Sequence, residues 1–95
     1  MPVVAIFSIP GMTEAQYRTV RRQLGEDAPP GQLVHIAGPT DGGWQVVEVW
    51  ESPEAMGAFF QSPQAGAAFQ AAEIAPVQPV VSVVDSLVAA AHPAA

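Results

Sequence analysis

Ninety-five residues, about half of them apolar and 13% charged, make one small domain. A formal net charge of −6, with three arginines (Arg18, Arg21, Arg22) and no lysine, argues against nucleic acid and against an anionic membrane surface. With no cysteine in the chain, disulfides, thiolate catalysis and cysteine-ligated metal centres are excluded.

The first stretch, MPVVAIFSIPG, is apolar. It has no basic n-region and breaks at Pro10-Gly11, too early for a signal peptide. No apolar run approaches the roughly 18 residues of a membrane span, so a cytoplasmic protein is expected. Val3 to Ile9 is a β-rich run closed by a breaker, hence a strand. Thr13, with Gln16 three residues on, forms a capping box, and Tyr17, Val20 and Leu24 then recur on one face of a helix that Gly25 ends. Gln32 to Pro39 and Gly43 to Glu51 are strands. Ser52-Pro53 starts a second helix with Met56, Phe59 and Phe60 on its apolar face. Ser62-Pro63 repeats the start signal, so that helix breaks or kinks and restarts towards Glu73. After the linker APVQP comes a last strand, VVSVVDSLV (Val80 to Val88). The domain is expected to span 1–88, with a flexible tail over 89–95 that holds His92, a residue with no expected role.

The order β-α-β-β-α-β predicts an α+β, ferredoxin-like domain: one four-stranded antiparallel sheet with two helices on one face. The third strand is apolar on both sides, and no remaining element can cover the second sheet face. A homodimer packed sheet to sheet solves that problem.

The hairpin carries the candidate chemistry. Asp41-Gly42 suits a two-residue type I′ loop, which pairs Thr40 with Gly43, Pro39 with Trp44, Ala37 with Val46, His35 with Glu48 and Leu33 with Trp50. Opposed residues share a face, so His35 and Glu48 lie side by side between two tryptophans. A three-residue loop with a bulge at Gly43 would instead send the pair to opposite faces. Val34, Ile36, Val47 and Val49 form a purely apolar set that suits the layer under the helices. Leu33, His35, Ala37, Trp44, Val46, Glu48 and Trp50 form a mixed set that suits a ligand pocket between sheet and partner subunit. The plainer reading is a satisfied polar pair at a dimer interface with tryptophan anchors. Tyr17 is core with its hydroxyl at the edge, the arginines are a solvated helix face, and Met56, Phe59, Phe60 and Phe69 are core.

The element order and the block VVEVWESPEAMGAFFQSPQAGAAF resemble the dimeric α+β barrel superfamily, specifically small proteins similar to antibiotic-biosynthesis monooxygenases. The resemblance implies a homodimer whose two sheets pack as a barrel, with activities that include cofactor-independent oxygenation of aromatic polyketides and haem degradation. The haem-degrading branch implies an asparagine in strand one, and a tryptophan and an iron-ligating histidine in the second helix. Phe7 and Ser8, then Phe59 and Phe69, stand in those regions, so no haem is expected. A metal is not expected either, because His35 with Glu48 falls short of three ligands. The oxygenating branch implies a phenolic substrate in a dry, apolar cavity with a base beside it. His35 and Glu48 are the candidate acid/base pair, with Trp44, Trp50, Tyr17, Leu33 and Val46 as contacts for a small apolar or aromatic ligand. Three functions stay open: a cofactor-free monooxygenase or cyclase of secondary metabolism, a non-catalytic small-molecule-binding or stress-response barrel, and a pure dimerisation module.

Overall fold

β-Branched and aromatic residues make the central strands. β1 (Val3–Pro10) lies between β3 (Gly43–Trp50) and β4 (Val80–Val83), and β2 (Gln32–Thr40) forms the far edge, giving the order β2-β3-β1-β4 with every pair antiparallel. The computed structural model describes residues 1–90; the end of the expected tail, with His92, lies outside the described residues.

Three helices lie on one face. α1 (Glu14–Leu24) starts at the expected capping box: Thr13 accepts from the Gln16 N–H at 3.1 Å, and the Gln16 side chain accepts from the Thr13 N–H at 3.0 Å. The second helical region is two helices, α2 (Pro53–Phe60) and α3 (Pro63–Ala71), so the order is βαββααβ. Ser62 explains the break. Its hydroxyl donates to the Phe59 carbonyl at 2.6 Å, ending α2, and accepts from the Ala65 N–H at 3.2 Å, starting α3.

The hairpin has the expected register from Thr40–Gly43 through His35–Glu48. Its loop conformation differs from expectation. Only Gly42 has positive φ (+81°), whereas a type I′ turn needs positive φ at Asp41 as well. The Gly42 carbonyl accepts from the Gly11 N–H at 2.8 Å, a tie to the β1–α1 corner that no local turn rule contains.

Three further expectations are corrected. A register shift between Gln32 and Val34 sets Gln32, not Leu33, opposite Trp50, and Leu33 is left half exposed. β4 is four residues long: after Val83 one further bond runs from the Val84 N–H to the Pro2 carbonyl, and β1 pairs no earlier residue.

The third correction concerns the faces. The mixed set packs under the helices, and the β-branched set is helix-free. Trp50 meets Phe59 and Phe60 at ring-centroid distances of 5.5 and 6.1 Å, and Trp44 stacks on Tyr17 at 5.2 Å. Large rings fill the deep space between a twisted sheet and its helices. Small branched side chains leave a flatter surface, suited to another sheet. That surface comprises Val4, Ile6, Val34, Ile36, Val47 and Val80, with Ile36 and Val80 well exposed.

Candidate functional site

Strand alternation puts His35 of β2 beside Glu48 of β3, and Trp50 two residues further along the same face. His35 Nδ1 and Glu48 Oε2 are 3.0 Å apart, while Glu48 Oε1 accepts from the Trp50 indole N–H at 3.0 Å. Glu48 is only 5% exposed, so both its oxygens are satisfied by protein rather than by bulk water. From α1, Tyr17 reaches down to the pair, its hydroxyl 2.8 Å from His35 Nε2. A four-residue hydrogen-bonded chain results: Tyr17–His35–Glu48–Trp50.

Its polarity follows from donor inventory. Indole can only donate and an ionised carboxylate can only accept, so His35 presents Nδ1–H to Glu48. In the neutral form of that tautomer Nε2 is the acceptor, so the Tyr17 hydroxyl donates to it.

The chain borders a cavity of about 970 Å³ between sheet and helices. That lies within the roughly 300–1,000 Å³ range of small-molecule sites. His35, Glu48, Tyr17 and Val46 line it, whereas the sequence placed their pocket between sheet and partner subunit. Trp44 and Trp50 do not; they belong to the packed layer around it, with Trp50 fully buried. Leu33 does not line it either, because the bulge turns it out and gives Gln32 its place.

Several walls were expected only as core: Met56, Phe59, Phe60 and Phe69 all line the cavity. Arg21, expected on the solvated face, reaches it too, and the spacing Tyr17–Arg21 (i, i+4) was the available signal. The Trp44 indole N–H is buried with no acceptor among the described residues.

Among the described residues no three His, Cys, Asp or Glu side chains come together for a metal ion. His35 is the one histidine among the described residues, and both its ring nitrogens are engaged; Phe59 and Phe69 offer iron no ligand. No described helix is long and apolar enough to cross a membrane.

No protein-family model matches this sequence, and no curated protein matches it. Solved structures do match, over nearly the whole chain. A candidate antibiotic biosynthesis monooxygenase from Chloroflexus aurantiacus J-10-fl is 19% identical with a TM-score of 0.67, covering 93% of this chain and 95% of its own. Rv0793 from Mycobacterium tuberculosis is 20% identical with a TM-score of 0.59, covering 96% of this chain and 100% of its own. A mutant of SnoaB, a cofactor-independent oxygenase from Streptomyces nogalater, is 16% identical with a TM-score of 0.59, covering 90% of this chain and 93% of its own. At these identities the likeness is one of fold alone: the chain has a ferredoxin-like fold similar to that of structures described as antibiotic biosynthesis monooxygenases.

Proposed function

We propose that this protein is a cofactor-independent enzyme of secondary metabolism, a monooxygenase or cyclase acting on a flat, aromatic, polyketide-like molecule. One observation carries the reading: a hydrogen-bonded His35–Glu48 pair beside an apolar, aromatic-walled cavity large enough for such a molecule. Phe59, Phe60, Phe69 and Met56 give it apolar contact. His35, oriented by Glu48, supplies the acid/base function through which a phenolic or enolisable substrate becomes an anion. Substrate that displaces water from the cavity strengthens the electrostatic interactions made there and protects that anion from reprotonation. The shared fold with SnoaB, a cofactor-independent oxygenase, supports the reading.

The working unit we propose is a cytoplasmic homodimer, formed on the helix-free face. A β-branched surface running across all four strands, with Ile36 and Val80 exposed, supports it.

The test uses anthrone, a flat tricyclic ketone, as probe. Tryptophan fluorescence reports binding, and an oxygen electrode reports turnover with no metal, flavin or haem added. Saturable binding with oxygen uptake above buffer supports an enzyme. Saturable binding with no uptake leaves the non-catalytic binder. Absence of binding rejects both.

A further inference from the structure

We propose that Tyr17, not His35, is the group that meets the substrate, and that Tyr17, His35 and Glu48 work as one proton-transfer triad. This inference rests on the acid–base reading of the cavity and specifies its reacting atom.

Valence decides which group is free to meet a substrate. An imidazole has two nitrogens, and both are spent inside the protein: Nδ1 on Glu48 at 3.0 Å and Nε2 on Tyr17 at 2.8 Å. No ring nitrogen of His35 remains for a substrate. A phenolic hydroxyl has one proton and two lone pairs, and the bond to His35 uses only the proton. The Tyr17 oxygen therefore keeps acceptor capacity, and Tyr17 lines the cavity. Phenol, imidazole and carboxylate stand in the order that hydroxyl, imidazole and carboxylate take in a Ser-His-Asp triad, with phenol in the place of serine.

The step balances without a further reactant. An acidic C–H or O–H bond of the substrate breaks, its electron pair stays on the substrate as a delocalised anion, and the proton goes to the Tyr17 oxygen. Tyr17's own proton moves to His35 Nε2, and the imidazolium is held against the Glu48 carboxylate. The Arg18 guanidinium carbon lies over the face of the Tyr17 ring, 5.8 Å from its centroid. Stacking of the ring on Trp44 at 5.2 Å fixes its plane, so the hydroxyl keeps its aim at Nε2.

Trp50 then has a task of its own. Its N–H occupies Glu48 Oε1, leaving Oε2 for His35. Trp50 is a positioning residue rather than a ligand wall.

The test is anaerobic exchange of anthrone's acidic hydrogen in D2O, followed by mass spectrometry, with Tyr17→Phe, His35→Gln and the double variant beside the wild type. Tyr17→Phe keeps the ring that stacks on Trp44 and removes only the hydroxyl. The triad predicts that each single variant loses about 10²–10⁴-fold in exchange turnover with KM for anthrone unchanged. The double variant should lose no more than either single one, as residues acting as a unit do. If Tyr17→Phe exchanges within a few-fold of wild type while His35→Gln does not, His35 meets the substrate itself; the triad is then overturned and the proposed function stands. A wild type that exchanges no faster than buffer overturns both.

Discussion

His35 sits between a hydroxyl and a carboxylate, and each neighbour dictates the form of the ring. Glu48→Gln is the sharpest probe of that dependence. The Gln carboxamide must still accept from the Trp50 N–H, which turns its NH2 towards His35 Nδ1. His35 should then move its proton to Nε2 and donate to Tyr17, a reversal that 15N NMR of the imidazole reads directly. An unchanged Nδ1–H tautomer in the variant would contradict the assigned polarity. The two tryptophans give a second residue-level prediction. Trp50→Phe strands a buried carboxylate oxygen, whereas Trp44→Phe removes a donor that has no acceptor among the described residues. The ring change is the same in both, so Trp50→Phe should cost more in urea denaturation by about 1–3 kcal/mol. Equal costs would mean that the indole–carboxylate bond contributes nothing. At this scale the sequence showed the His35–Glu48 pair because a two-residue loop fixes which residues oppose each other. The Tyr17 bond was not legible, since it depends on how closely α1 docks on the sheet.

Among the elements, the signals that depend on neighbouring residues transferred well. The Thr13 capping box and the Ser-Pro starts are local hydrogen-bond chemistry, and they stand where the sequence put them. Ser62 acts twice, ending one helix and starting the next, so Ser62→Ala should cost about 0.5–2 kcal/mol in chemical denaturation. A cost near zero would show that proline at the first helical position suffices. Errors arose where a partner element decides. Which sheet face lies under the helices was inverted, because composition favoured an apolar layer there while the packing required rings to fill depth. The bulge at Leu33 and the early end of β4 depend on what adjacent strands offer for pairing. Neither is encoded in the strand's own residues.

For the molecule as a whole, the helix-free face sets the expected assembly. Val4, Ile6, Val34, Ile36, Val47 and Val80 make a continuous β-branched surface that a second copy would cover. Light scattering should give about twice the 9.9 kDa chain mass for the wild type and a single-chain mass for Ile36→Lys. A folded wild-type monomer at micromolar concentration would contradict that assembly. The cavity lies on the opposite side of the sheet, between strands and helices.

The most direct measurement is the aerobic turnover of anthrone by His35→Gln, beside its dissociation constant and its mass in solution. The account predicts that turnover falls by about 10²–10⁴-fold while affinity and assembly state stay at wild-type values. Turnover equal to wild type in a folded variant would show that the pair beside the cavity is structural, and would contradict the acid–base function assigned to it.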